Sequence, residues 1–344
     1  MGVQISEIIP RKEIELADLK GKTIAIDAFN TLYQFLTTIR QADGTPLMNS
    51  NGKITSHISG LFYRNLNLLQ EGIVPVYVFD GEPPELKAQE IERRTKAKEI
   101  AEEEFAKAKE EENIADMRKY SARTVKLTKE IIEESKELLE AMGITVIQSS
   151  GEGEAEAALM ASKKIVWASA SQDYDSLLYG TPILIRNLTI ARKRKTSSGA
   201  LIDTKMELIE FENVLNKLQI NKEQLICLAI LVGTDYNPGG IKGIGQKRAL
   251  EIVQKYQFPF AIFEYVKNSE KYQMDFDWQV IFKQFQEFKL AAENEVTNTS
   301  PDLEKIKELL LNKYNFSEER VLSAIDKLKL LQEKKKQKGL SEFW

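Results

Sequence analysis

A continuous apolar run ending in an acid occurs twice in this chain and narrows its possible folds more than any other feature. Thr23-Ile24-Ala25-Ile26 leads into Asp27, and Val76-Tyr77-Val78-Phe79 leads into Asp80. Runs that are apolar at every position read as strands buried on both faces, as in a parallel sheet covered by helices. An acid directly after such a strand stands at the carboxyl edge of the sheet, where open α/β folds bind their ligands. The Glu152/Glu154 and Asp173/Asp175 pairs and Asp235 extend this acidic set to seven. Like charges about 5 Å apart repel by roughly 3 kcal/mol at an effective dielectric near 20. A fold that gathers them needs cations, and hard divalent ions such as Mg²⁺ prefer oxygen ligands.

The rest of the pattern fits an α/β class with a mainly parallel central sheet flanked by helices. Helices are predicted over 28–39 and 57–70, the second with Ile58, Leu61, Phe62, Leu66 and Leu69 on one face. Strands are predicted over 73–79, 144–148, 165–168 and 182–185, and their alternation with helices indicates a doubly wound layer. Gly81-Glu82-Pro83-Pro84 breaks the backbone, and neither glycine nor proline occurs from Glu85 to Met142. Residues 85–119 have strong helix propensity but a sparse apolar face. Composition leaves two readings open there: a solvated arm, or helices standing off the sheet as an arch. Further helical patterns run over 223–232, 260–288 and 301–331, and residues 334–344 read as a mobile tail.

Composition removes several chemistries. Cys227 and His57 are the only residues of their types, which excludes an intramolecular disulfide and argues against zinc sites and Ser-His-Asp triads. No apolar run is long enough to span a bilayer and no secretory signal opens the chain, so an intracellular protein without membrane association is expected. A net charge of −4 argues against nucleic acid when taken alone. The sign misleads if the acids crowd one metal site while bases such as Arg192-Lys193-Arg194-Lys195 lie elsewhere.

Three motifs carry further chemistry. Gly243-Ile244-Gly245 followed by Lys247-Arg248 has the pattern of a helix-hairpin-helix element, whose backbone N–H groups approach phosphates without reading bases. Lys87 and Arg94 lie two turns apart on one face of the charged helix. From spacing alone they read as a solvent-exposed pair, although they begin just beyond Asp80. The end of the chain, Gln337-Lys338-Gly339-Leu340-Ser341-Glu342-Phe343-Trp344, places Leu340, Phe343 and Trp344 on one side of a short helical turn, as in a peptide anchor that orders in a partner's pocket.

These stretches together resemble the flap endonuclease 1 family, in its archaeal form, over essentially the whole chain. The matching segments are Asp27-Ala28-Phe29-Asn30, Val76 to Gly81 with Pro83-Pro84, and Gly151-Glu152-Gly153-Glu154-Ala155. Ser171 to Leu178 and Gly233-Thr234-Asp235-Tyr236 with Gly243-Ile244-Gly245 complete the set. Each is weak alone, and their order and spacing make the signal specific. Three departures are small: Glu156 extends the acidic run, Gly239-Gly240 lengthens a turn, and Trp344 replaces a second aromatic that is usually phenylalanine.

The resemblance implies a structure-specific 5′ flap endonuclease with 5′–3′ exonuclease activity, acting in Okazaki fragment processing and repair. It implies that Asp27, Asp80, Glu152, Glu154, Asp173, Asp175 and Asp235 hold two Mg²⁺ ions, with Mn²⁺ as a substitute. Lys87 and Arg94 become phosphate-stabilising groups, which reverses the reading from spacing. Tyr33 would stack on the base beside the scissile bond, Arg64 would touch the substrate strand, and the freed amine of Gly2 would lie near the site. Gly243, Gly245, Lys247 and Arg248 would hold duplex backbone, and Gln337, Leu340, Phe343 and Trp344 a ring-shaped sliding clamp. The implied layout is one nuclease domain over 1–330, with an arch at about 82–130 and the hairpin at about 223–256. A flexible clamp-binding tail over 331–344 follows, on a monomer working in the cytoplasm or nucleoid. The rival readings are another 5′ nuclease of the superfamily, an RNA-cleaving relative, and a non-catalytic adaptor bridging DNA and clamp.

Overall fold

Asp27 and Asp80 emerge side by side because the strands that carry them are paired in parallel, with Asp27 opposite Val78 in the register. The computed structural model describes residues 2–41, 43–111, 113–190, 193–195, 201–290, 295–297 and 299–341. Its strands are β1 (Lys12–Ile14), β2 (Thr23–Asp27), β3 (Val74–Phe79), β4 (Thr145–Gln148), β5 (Ala168–Ala170) and β6 (Ile183–Arg186), then β7 (Lys193–Lys195), β8 (Leu201–Asp203) and β9 (Met206–Glu210). Seven of them form one sheet in the order β1-β9-β6-β5-β2-β3-β4, and β7 pairs with β8 separately. Strands β6, β5, β2, β3 and β4 run parallel, while β9 and β1 close one edge antiparallel.

Alternation along the central strands buries both faces. On one face Ile24, Ile26, Tyr77 and Phe79 pack under α1 (Ala28–Thr38) and α2 (Ser56–Gln70). On the other, Ala25, Val76 and Val78 pack against the helix Gly153–Ser162. The order of strands reverses at β2, whose neighbours are β3 on one side and β5 on the other. Such a switch point opens a crevice at the carboxyl edge.

Between β3 and β4 the chain forms α3 (Ala88–Glu110), α4 (Ile114–Ser121) and α5 (Lys129–Ala141). Helix α3 buries only Glu90, Ala101 and Ala108 and leaves Ile91 and Ile100 exposed. After β4 come α6 (Gly153–Ser162) and the short α7 (Asp175–Leu178). The helical part follows β9 as α8 (Phe211–Leu218), α9 (Lys222–Val232), α10 (Gln246–Tyr256), α11 (Pro259–Lys267) and α12 (Trp278–Gln286), then α13 (Leu303–Lys307) and α14 (Glu318–Ser341). Helix α9 starts with a capping box between Asn221 and Gln224, and Leu225 to Leu231 are fully buried. Among the described residues no helix is long and apolar enough to cross a membrane.

The structure corrects four expectations. The strand expected at 165–168 is Ala168–Ala170, because Val166 instead packs into the core beside α6. The edge strands β1 and β9, whose polar or alternating sequences gave no continuous apolar run, went unforeseen. The helical stretch 260–288 is two helices separated by residues 268–277. A flexible tail was expected from residue 331, but α14 continues to Ser341. Strong helix formers occupy 332–338, and Gln332 Nε2 donates to Pro301 O at 2.7 Å. Gln337 and Leu340 fall on this helix with side chains outside the described set, and Arg192, Phe343 and Trp344 lie outside the described residues.

Candidate active site

The acids reach the carboxyl edge on several elements, and each is held by a backbone or side-chain donor. Asp27 ends β2 and caps α1, accepting from Asn30 N at 2.9 Å. Asp80 follows β3 and accepts from Gly153 N at 2.9 Å at the start of α6. A Cβ on Gly153 would come within 2.7 Å of Asp80 Oδ1 and 2.9 Å of Val78 O. Only glycine therefore lets α6 begin this close to β3. Glu154 Oε1 accepts from both Ser176 N (2.9 Å) and Ser176 Oγ (2.8 Å).

The amino terminus is part of the same edge. Gly2 N donates to Asp173 Oδ1 at 2.9 Å, and Val3 N donates to Asp175 Oδ1 at 2.8 Å. Asn30 Nδ2 supplies the other oxygen of Asp173 at 3.1 Å. A side chain at residue 2 would lie 2.7 Å from Asp175 Oδ1.

Lys87 is largely covered and turns to the acids, and Arg94, though 44% exposed, reaches them as well. Lys87 Nζ pairs with Glu152 Oε1 and lies 3.2 Å from Asp235 Oδ2. Arg94 Nη2 lies 2.7 Å from the same Asp235 oxygen, and its Nε binds Glu90 Oε1 at 2.6 Å. Glu90 is itself buried and shared with Arg93.

Electrostatics show that the acids crowd one another. Burial pushes Asp27 up to about 8, with the charges of Asp80 and Asp173 adding to the rise. Burial and Asp173 push Asp175 up to about 7. Burial raises Asp80 to about 6 against the opposing pull of the Gly153 N–H and Lys87. Glu154 is driven well above the carboxylate range by burial and then by Asp175, Asp173 and Asp27. Among the described residues, however, no three of these carboxylates stand close enough to grip one ion as they are oriented. Their oxygens turn instead to protein donors, among them Asn30 N, Gly153 N, Ser176, Gly2 N and Val3 N.

The remaining expected residues fall at varying remove. Tyr33, on α1, is half exposed and senses the charges of Arg94 and Asp80, so it borders the site. Arg64 lies half-buried on α2, where desolvation lowers its pKa and no acid of the cluster bonds it. Gly243 has φ +87 and, like Gly245, faces open space, which leaves the backbone before α10 accessible. Lys247 and Arg248 are exposed at the start of α10, the first 3.5 Å from Glu7 and the second 2.7 Å from Glu251.

Several residues of the site escaped sequence reasoning. Tyr179 and Tyr236 both donate to Glu152 Oε2, at 2.9 and 2.7 Å. Nothing in the sequence links either to Glu152, although Tyr236 directly follows Asp235. Asn30 could have been found, since it stands three residues after Asp27 at N-cap spacing. Glu90 could not, being one glutamate among many on α3.

Comparisons with known proteins agree with this geometry. Residues 1–101 match the XPG N-terminal domain and residues 143–235 the XPG I-region. Flap endonuclease 1 of Pyrococcus furiosus is 53% identical over 345 residues, spanning 100% of this chain and 99% of that protein. Flap endonuclease 1 of Sulfolobus acidocaldarius is 48% identical over 352 residues, spanning 99% of this chain and 100% of that one. The solved flap endonuclease-1 from Methanococcus jannaschii superposes with a TM-score of 0.77 at 42% identity, covering 97% of this chain and 100% of its own. The catalytic core of Rad2, solved in complex with a DNA substrate, shares the fold at a TM-score of 0.71 and 22% identity, over 92% of this chain and 96% of its own. The architecture, a seven-stranded α/β sheet flanked by helices, is that of the 5′-nuclease class. The chain belongs to the flap endonuclease 1 family.

Proposed function

We propose that this protein is a structure-specific 5′ flap endonuclease that hydrolyses DNA phosphodiesters with the help of two divalent ions, in replication and repair. The observation that carries this reading is the meeting of buried, mutually repelling carboxylates with Lys87 and Arg94 at one sheet edge. The donor set suits hard cations: every candidate ligand offers carboxylate oxygen, and a bound cation would offset the burial and mutual repulsion that raise Asp27, Asp80, Glu154 and Asp175. Asp27, Asp80, Glu152, Glu154, Asp173, Asp175 and Asp235 would hold two Mg²⁺ ions, with Mn²⁺ as a substitute. Such ions, when bound, make water more acidic and stabilise charge on the attacking and leaving oxygens.

The chain's own residues supply the rest. Lys87 and Arg94 neutralise charge on the scissile phosphate once they exchange their carboxylate partners for it. Gly2 N already donates to Asp173, and once Met1 is removed the freed amine would add positive charge beside that phosphate. Tyr33 stacks on the neighbouring base, and Arg64 contacts the substrate strand. Backbone N–H groups near Gly243 and Gly245 take duplex phosphates with Lys247 and Arg248, so sequence preference should be slight and salt dependence steep. Helices α3 and α4 form the arch that receives a 5′ single strand. Gln337, Leu340, Phe343 and Trp344 dock a monomeric enzyme on a sliding clamp.

A Mg²⁺ titration of cleavage on double-flap DNA, with blunt duplex as control, tests this. Ion-dependent cutting near the flap base supports it, and ion-independent binding without cutting would leave only the adaptor reading. Gapped, bubble and four-way DNA assayed in parallel would separate flap cleavage from the activities of other 5′ nucleases.

A further inference from the structure

Glu152 directs its two oxygens to different partners. Oε1 takes Lys87, whereas Oε2 accepts from Tyr179 Oη at 2.9 Å and Tyr236 Oη at 2.7 Å. The two hydroxyl oxygens also stand 2.8 Å apart. Two hydroxyl protons serve the three edges of this triangle, so at least one points at Oε2 in any arrangement.

The pair is built rather than incidental. Tyr179 follows α7, Tyr236 lies in the loop after α9, and Phe285 of α12 packs 5.2 Å from each ring. Phe288 meets Tyr179 edge-on at 5.7 Å, and a Cβ on Gly151 would lie 3.1 Å from it. Segments far apart in sequence thus converge on one oxygen of one carboxylate. Both rings are buried, and towards a carboxylate oxygen a phenol hydroxyl can act only as donor.

We propose that Tyr179 and Tyr236 are positioning residues that pin Glu152 Oε2 and so leave Oε1 as the oxygen this carboxylate offers to a divalent ion. The inference rests on the metal-dependent reading above and adds residues that the acidic motif does not contain. Donors behind a metal-binding carboxylate fix its orientation and basicity, and losing them typically weakens ion affinity about 10- to 100-fold. Lys87, now paired with Oε1, occupies the oxygen that the ion would need. Pinning Oε2 would therefore make Lys87 and the ion compete for a single oxygen.

The test uses the full chain with Tyr179→Phe, Tyr236→Phe and the double substitution, which remove hydroxyls and keep the rings. Ion binding is measured without DNA by calorimetry with Mn²⁺, and the Mg²⁺ half-saturation of cleavage is measured separately. The double variant should bind Mn²⁺ about tenfold more weakly and need about tenfold more Mg²⁺. Its kcat at saturating ion should fall by less than about threefold, and DNA affinity and melting temperature should hold. In a Glu152→Gln background the same substitutions should change ion affinity little. Wild-type ion affinity in the double variant would overturn the proposal, as would an equal loss in the Glu152→Gln background. If the double variant does not fold, Tyr179→Phe alone decides, with an unchanged Mn²⁺ affinity counting against the pair. Weakened Mn²⁺ binding in a protein that cuts no DNA would keep the positioning role and sink the nuclease reading instead.

Discussion

Buried carboxylates at two places in this molecule shift in opposite directions. At the carboxyl edge, burial first and neighbouring acids second raise Asp27 to about 8 and Asp175 to about 7. Between α2 and α5, Glu134 falls to about 2. Burial alone would raise it, but His57 and Lys53 outweigh that effect. His57 Nε2 lies 3.3 Å from Glu134 Oε2, and Lys53 pairs with Oε1. Burial sets the stakes and the neighbours set the sign. One site ties α5 to α2 and the loop before it, while the other gathers acids whose repulsion Lys87 and Arg94 offset at Glu152 and Asp235.

Four substitutions would break or sharpen this contrast. Asp80→Asn, which keeps an acceptor for Gly153 N, should slow single-turnover cleavage at least about a thousandfold, ~4 kcal/mol of barrier. Its melting temperature without divalent ions should hold or rise, because a repelling charge is gone. A clear loss of stability would show that the edge is no more strained than the Glu134 cluster. Lys87→Ala should lower kcat about a hundredfold, ~3 kcal/mol, with DNA affinity changed by less than about threefold. An unaltered kcat would return Lys87 to a purely structural pairing.

Glu134→Gln should do the reverse, costing about 1–3 kcal/mol in denaturant unfolding and leaving kcat intact. Its pH dependence has a defined sign. The folded value of about 2 lies below the ordinary 4.5, so the stabilisation is complete above about 4.5 and disappears as pH falls towards 2. Wild-type protein should lose stability across that window more steeply than Glu134→Gln, and parallel curves would refute the assignment. Smallest of all, Lys247→Ala touches neither cluster and should weaken DNA binding uniformly, reducing the salt slope by about one. A change in preference among DNA sequences would mean that this lysine reads bases.

What the sequence disclosed follows from the same physics. Strands β2 and β3 were legible because both faces are buried, which forces unbroken apolar runs up to Asp27 and Asp80. Strand β5 was misplaced because Ala-Ser-Ala is too small to stand out beside Ile165 and Val166. Edge strand β1, Lys12–Ile14, is paired on one side only and need not be apolar. In the site, Asp27 and Asp80 could be named because each directly follows an apolar run. Tyr179, Tyr236 and Glu90 could not, since their roles arise from contacts across 27, 84 and, through Arg94 to Asp235, 141 residues of chain.

The turn after α9 has a mechanical consequence. Gly233 sits at φ +114, Ile241 N returns to Leu231 O at 2.9 Å, and Thr234 is bound by the Asn237 side chain. A Cβ on Gly240 would collide with the Val232 carbonyl, so this loop is clasped onto a helix buried from Gln224 to Leu231. Asp235 and the glycines before α10 therefore belong to one stiff piece. Under the proposed function, that piece acts as a ruler: the span between where duplex is gripped and where the strand is severed is set by a short gauge of folded chain, and lengthening it by a single residue should move the cut.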